Sequence, residues 1–394
     1  MAIRSGQILH DAYGFIVDRI QTGGVSSLNI PQEKIYELGN YQTVATVRDI
    51  PDLSFDLESF DVSTEIEALI VDSDPTTVND GDFIDLKRAV PLDMISPYKN
   101  ANLFTTVRGV ALPYLTLESA SYRFGLRQNA TQAFTFRGDS IYYVPGTPYY
   151  QEFALAGTGP YTLANTALPY NENGETIYAL GVCYTMPDGT YKRLFHGVDY
   201  TDTATAVTLT VAPPTGAIIK VIYGSAAAAT YNQAVHQGVS VKPAAVRGKD
   251  IDVYVGDVSL GRWASVQSAE INWRVNLEND EEFGNYHFVS SDYDVPEVTG
   301  NIVLKPQNPT ELFERIREVA NVSAGQVIGP FTSIPLDLEV RISNPDTGAR
   351  LKTFYVEDAR FTVPAIQGRV QEKLTVTFDW ESDGGNLLVY RGER

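Results

Sequence analysis

Two pairs of carboxylates flank two prolines in this chain: Asp49 and Asp52 about Pro51, and Asp294 and Glu297 about Pro296. Acids this close invite the pairing of general acid with nucleophile or base that cleaves glycosidic bonds. The arrangement occurs twice, each time beside a turn-forming proline and with no aromatic sugar platform to single out. Turn, cap or subunit-contact residues are therefore the better reading. Other chemistry is thinner. The one cysteine, Cys183, sits in an apolar run that suits buried packing better than nucleophilic catalysis, and it leaves no intrachain disulfide. His10, His196, His236 and His287 lack metal-ligand spacing, and no phosphate-binding or nucleophile-elbow motif is present. Asp72-Ser73-Asp74 with Asn79-Asp80-Gly81-Asp82 could hold calcium, but the glycine and closing glutamate of an EF-hand are misplaced, so a solvated loop is expected. Arg137-Gly138-Asp139-Ser140 spells an integrin-type tetrapeptide and reads as a turn. No catalytic residue, cofactor or metal site is assigned, and a non-enzymatic role is expected.

The elements that carry these residues are duplicated. ELGNYQTVATVRDIPDLS at 37–54 aligns without a gap to EFGNYHFVSSDYDVPEVT at 282–299, 245 residues later (282 − 37). Glu37, Gly39, Asn40, Tyr41, Asp49 and Pro51 recur as Glu282, Gly284, Asn285, Tyr286, Asp294 and Pro296, and Asp52 recurs as Glu297. These are the candidate repeat and subunit-contact residues. A helix is expected after each motif. The better one has Asn308 as N-cap, Pro309 at the first position, Glu311 completing a capping box, and Leu312, Ile316 and Val319 on one face. Thr64-Glu65-Ile66 and Ile70 match it in the first copy. Further matches are Val25/Val266, Val90-Pro91-Leu92-Asp93/Ile334-Pro335-Leu336-Asp337 and Leu117/Val356. Copy one is placed at 1–140 and copy two at 240–394, each a normal domain size.

Between them, 141–239 belongs to neither copy. Short β-branched and aromatic runs near 151–155, 177–186, 191–196, 206–211 and 217–223 predict a small immunoglobulin-like sandwich, with a hairpin turn at Pro187–Thr190. The Ala226–Ala229 run leads out as a short helix or a linker. Most other segments also read as short strands, so the fold class is mainly β. The formal net charge of −19 argues against direct nucleic-acid binding and is equally consistent with a surface that repels it. No apolar run is long enough for a signal peptide or a membrane span.

The motif Glu37-Leu38-Gly39-Asn40, a strand, Asp49-Ile50-Pro51, another strand and a short helix, repeated at Glu282-Phe283-Gly284-Asn285 and Asp294-Val295-Pro296, resembles the tail tube proteins of long-tailed bacteriophages. The middle third, around Gly197–Thr201 and Ala212–Ala217, is similar to β modules that decorate phage tails. The resemblance implies two tail-tube β-sandwich or barrel units, each with one α-helix, plus the inserted module. It implies partners as well: self-association into stacked trimeric, pseudo-hexameric rings, and contact with terminator, distal tail and tape-measure proteins. DNA would pass through the lumen without specific binding, the insert would project and could meet a host surface, and the protein would reside in the virion tail after assembly in the host cytoplasm. Asp56 and Glu58 alternate as lumen-facing residues would, and 71–85 is the candidate for joining stacked rings. Competing readings are another tail ring such as a distal or baseplate-hub component, a carbohydrate-binding adhesin, and an enzyme.

Overall fold

The structure, a computed structural model, describes residues 20–36, 43–48, 50–60, 63–73, 77–99, 106–154, 157–172, 174–186, 190–227, 246–256, 262–282, 287–320, 323, 326, 335–362, 364 and 374–394. It is mainly β, with two α-helices among the described residues. The first copy runs β1 (Ile20–Asn29), the hairpin β2 (Gln32–Tyr36) and β3 (Thr43–Arg48), β4 (Asp52–Ser59), α1 (Glu65–Ile70), β5 (Phe83–Asp85), β6 (Leu92–Lys99), β7 (Thr106–Gly125), β8 (Thr131–Gly138) and β9 (Tyr142–Val144), which pairs with β7 and so carries this copy past the boundary expected at 140. The insert contains β10 (Thr147–Phe153), β11 (Tyr161–Thr162), β12 (Tyr170–Glu172), β13 (Glu175–Ile177), β14 (Ala179–Thr185), β15 (Tyr191–Leu194), β16 (Tyr200–Thr203), β17 (Ala206–Leu209) and β18 (Ile218–Ser225). The second copy runs β19 (Ile251–Val255), β20 (Val266–Arg274), β21 (Leu277–Asp280), β22 (Ser290–Tyr293), β23 (Glu297–Leu304), α2 (Pro309–Val319), β24 (Pro335–Ser343), β25 (Arg350–Phe361), β26 (Val376–Ser382) and β27 (Leu387–Arg391).

One antiparallel sheet crosses both copies in the order β1-β4-β8-β7-β20-β23-β26-β25-β24-β19. The first four strands are the counterparts of the next four. Strand register makes the duplication stricter than the residue matches. Asn29 faces Asp52 as Arg274 faces Glu297, and Gln32 faces Arg48 as Leu277 faces Tyr293, all 245 apart. Leu92 faces Leu115 as Leu336 faces Ala359, 244 apart. Two expected matches are therefore out of register. Val25 lies opposite Phe55, and the residue opposite its counterpart Gly300 is Ile271, not Val266. By the same logic Leu117 corresponds to Phe361, not Val356. Period-two apolar patterns recur along any strand, so a shifted match costs little in similarity.

Within the sheet, apolar residues alternate with polar ones. Leu53, Phe55, Leu57, Phe134, Phe136, Ile271, Trp273, Phe378 and Trp380 are buried on one face and share a core with both helices. Gly300 is required there. A Cβ at that position would stand 2.4 Å from the Trp380 ring and 2.0 Å from the Glu270 carbonyl oxygen. The helix expected at Asn308 is α2. The Asn308 side chain accepts from the Glu311 amide at 2.9 Å, while the Glu311 carboxylate reaches back to the Gln307 amide at 2.8 Å rather than to Asn308. Its counterpart α1 is six residues long and is followed at Asp72 by a left-handed backbone (φ 55°).

The insert forms a four-stranded sheet, β10-β18-β14-β15, and a three-stranded sheet, β11-β17-β16. Tyr161, Val182, Val207, Ile219, Val221 and Tyr223 pack in a core of its own. Cys183 is buried in β14. Residues 187–189 of the expected hairpin turn lie outside the described residues, though Met186 N donates to Thr190 O at 2.8 Å. Most of the connection after the Ala226 run lies outside them too. Among the described residues no helix is long and apolar enough to cross a membrane.

Candidate functional site

The seam between the two copies has the character of a subunit interface inside one chain. Strand β7 pairs with β20 from Ser119 opposite Arg274 to Gly125 opposite Ser268. The second copy then reaches back over the first. Lys352 on β25 is fully buried and forms an ion pair with Glu67 on α1, also fully buried. Lys352 also donates to Gln132 Oε1 at 3.2 Å and to the Ser63 carbonyl at 3.1 Å. Removing such a charge from water costs several kcal/mol, which only this closely hydrogen-bonded partner offsets. Nearby, β5 of the first copy adds to β27 of the second, with Ile84 opposite Val389.

β20 is flanked by β7 and β23, whereas among the described residues its counterpart β1 pairs only with β4. The consequence is visible side chain by side chain. Ile271, Trp273 and Val275 are 1%, 1% and 2% exposed, while Val25, Leu28 and Ile30 at the matching register positions are 36%, 44% and 41% exposed. A strand with uncovered aliphatic side chains is a template for a further apolar neighbour.

The opposite face of the long sheet is polar and crosses the seam without interruption. Asp52, Asp56 and Glu58 on β4, Glu270 on β20, Glu297 on β23, and Asp379 and Glu381 on β26 share it with Arg123, Arg137, Arg274 and Arg360. Seven carboxylates thus stand against four guanidinium groups. Cross-strand bonds tie the rows together: Thr135 to Asp56 at 3.0 Å, Ser121 to Asn272 at 2.7 Å, Arg123 to Glu270 at 3.0 Å and Asn301 to Glu270 at 3.2 Å. These solvent-facing pairs contribute little stability each (~0–1 kcal/mol), and their role is to set the character of the surface.

Of the repeat residues singled out in the sequence, Glu37, Gly39, Asn40, Tyr41, Asp49, Gly284, Asn285 and Tyr286 lie outside the described residues. The motif itself falls between the strands of two equivalent hairpins, β2–β3 and β21–β22. Glu282 is exposed. Asp52 and Glu297 each begin the strand that follows the hairpin, and Asp52 pairs with Arg137 at 3.2 Å, which also binds Glu118 at 3.0 Å. Asp294 N donates to Asn276 O at 3.2 Å, and the Pro296 carbonyl lies where a Cβ on Gly385 would stand, 2.0 Å away. Asp52 is engaged by Arg137, and Asp294 Oδ1 accepts from the Val295 amide at 3.2 Å, which suits strand entry. In the acidic 71–85 stretch, Asp72 pairs with Lys220 of the insert and Asp82 accepts from the Asn79 amide at 2.7 Å. With β5 on β27, both ends of that stretch are spent within the chain.

A buried cluster that the sequence reading missed holds the insert to both copies. Gly138 ends β8, and Asp139 is buried rather than in an exposed turn. Asp139 Oδ2 accepts from Arg193 at 2.6 Å and from the Phe288 amide at 2.8 Å, and Ser140 Oγ donates to Asp139 Oδ1 at 2.5 Å. His287 Nδ1 lies 3.2 Å from Ser140 Oγ, and its Nε2 lies 3.1 Å from Glu172. Burial opposes charge on Asp139, but Arg193 and His287 outweigh it and hold the carboxyl well below its usual range. Burial likewise opposes charge on His287, and the bonds to Asp139 and Glu172 outweigh it, raising its pKa. Since Ser140 spends its proton on Asp139, the group is a latch rather than a nucleophile with its base. The separate cues were Arg-Gly-Asp-Ser and a histidine replacing Gln42; nothing in spacing joins them to Arg193.

No family model matches this chain, and no curated protein matches it.

Proposed function

We propose that this chain is a structural subunit that closes with two further copies into a ring, and that stacked rings form the tail tube of a long-tailed bacteriophage, the conduit for its DNA. The observation that carries the reading is the contrast between β1 and β20. β20 buries its apolar side chains beside the other copy, whereas β1 exposes those at the matching positions. A second copy supplying its own far edge would satisfy β1, and the contact is head-to-tail, so it propagates until it closes or forms a filament. Three chains would contribute six repeats. The polar face is assigned to the lumen, because the helices and apolar core occupy the other side. At physiological salt its carboxylates repel a phosphate backbone only within ~8 Å, which keeps DNA from adhering to the wall without blocking the bore. Negative-stain microscopy of the purified chain tests this. Hollow cylinders of stacked rings are expected. Single rings that never stack would favour another tail ring component, and solid monomers at all concentrations would overturn the proposal.

A further inference from the structure

A cavity of about 550 Å³ lies where the first copy, the insert and the second copy meet. Its walls come from residues 87–91, β7 and the end of β8 in the first copy, from 191–195 in the insert, and from β21 and 288–293 in the second copy. The size is ordinary for a small-molecule site (~300–1,000 Å³). Two features of the lining set its chemistry. The first is charge. Among the described residues, Lys87, Arg88, Arg137, Lys192 and Arg193 line it against only Asp139 and Asp292, although the chain as a whole carries 49 acids and 30 lysines and arginines. The second is rings, supplied by Tyr114, Tyr191, Phe195, Phe288 and Tyr293. The cations differ in how far they are committed. Arg193 is bound to Asp139 and to the Phe288 carbonyl, and its guanidinium lies 3.9 Å from the centre of the Tyr114 ring, so it is part of the wall. Arg137 is held by Glu118 and Asp52. Lys87 donates to the Gly384 carbonyl at 2.9 Å and to Asn386, both uncharged. Arg88 is exposed, and its side chain has no hydrogen bond or ion pair to a described residue.

We propose that this cavity binds a small organic anion that carries a phosphate on a flat ring system, of the nucleoside monophosphate class. Lys87 and Arg88 are adjacent cations with no acidic partner among the described residues. Such a pair gains most from an anion, and two positive charges suit a phosphate dianion better than a single carboxylate. The flat group lies against the aromatic lining, where apolar contact and stacking favour it. A ligand held there touches all three units beside the Asp139–Arg193 latch. It therefore stabilises the folded chain as a whole, increasingly as its concentration exceeds the dissociation constant. Binding requires neither ring closure nor stacking of rings, so it stands or falls apart from the tube reading.

Isothermal titration calorimetry of the full chain with AMP and with naphthyl phosphate tests this. One saturable site per chain is expected for both. Adenosine alone and inorganic phosphate alone should each bind at least about tenfold more weakly than AMP. Arg88→Ala should weaken AMP by about tenfold or more, as the loss of a charge-assisted hydrogen bond does, with a near-ultraviolet circular dichroism spectrum like that of wild type. Arg360→Ala, on the polar face of the long sheet, should leave the affinity unchanged. Absence of saturable binding by both phosphates would overturn the proposal. Inorganic phosphate binding as tightly as AMP would overturn the role of the rings, and adenosine binding as tightly would overturn that of the cations. Unchanged affinity in Arg88→Ala, or an equal loss in Arg360→Ala, would overturn the placement in this cavity.

Discussion

Leu28 and Trp273 occupy the same register position in the two copies, opposite Leu53 and Val298 respectively. One is 44% exposed and the other 1%. The same substitution should therefore have opposite consequences. Leu28→Asp touches only a solvent-facing edge in the monomer, so its unfolding free energy should shift by no more than ~0.5 kcal/mol. Its effect belongs to assembly. Val25, Leu28 and Ile30 are each about two fifths exposed and would lose that exposure at a junction; at ~1.5–3 kcal/mol for a full burial, the three contribute about 2–4 kcal/mol. Aspartate removes roughly a third of that and adds the desolvation of a carboxylate. A loss of about 3 kcal/mol or more per junction, over a hundredfold in dissociation constant, is expected. Trp273→Asp instead puts a carboxylate into the core and should cost about 4 kcal/mol or more of monomer stability. Chemical unfolding and sedimentation velocity on both variants read the two effects separately. Wild-type assembly by Leu28→Asp, or a loss of monomer stability like that of Trp273→Asp, would show that β1 is not a junction surface.

Lys352→Met strands the Glu67 carboxylate in the core and should cost about 3–5 kcal/mol, while Glu67→Gln with Lys352→Met should recover most of it in urea denaturation. Gly300→Ala should cost about 2–3 kcal/mol, since the methyl group has to displace Trp380, and a thermal midpoint like that of wild type would contradict the packing described. His287 has a raised pKa in the fold. Its contribution is fully present below about pH 6.5, its unfolded value, and is lost as pH rises through the higher folded value. The stability difference between wild type and His287→Gln should accordingly shrink from pH 6 to pH 9, and a constant difference would remove His287 from the latch.

Local signals were readable where a residue type has one physical job. Asn308-Pro309 with Glu311 placed the start of α2, and the β-branched run near 206–211 marked β17. The duplication was legible at 37–54 because hairpin and strand entry demand particular residues. Its flanks were each misaligned by five residues, because alternating apolar strands resemble themselves when slid. The seam was not legible at all. That β7 abuts β20, or that Glu67 meets Lys352, depends on backbone pairing between segments far apart in sequence, and an isolated lysine in a strand carries no sign of its partner. Arg193, Asp139 and His287 were opaque for the same reason.

In the ring we propose, β1 of one chain is completed by the second copy of another, three times around. Native mass spectrometry of the smallest closed particle tests it most directly. Three chains of 43.4 kDa each are expected, a particle of 3 × 43.4 = 130.2 kDa. A particle of two or six chains, or one that remains a single chain at every concentration, would contradict it.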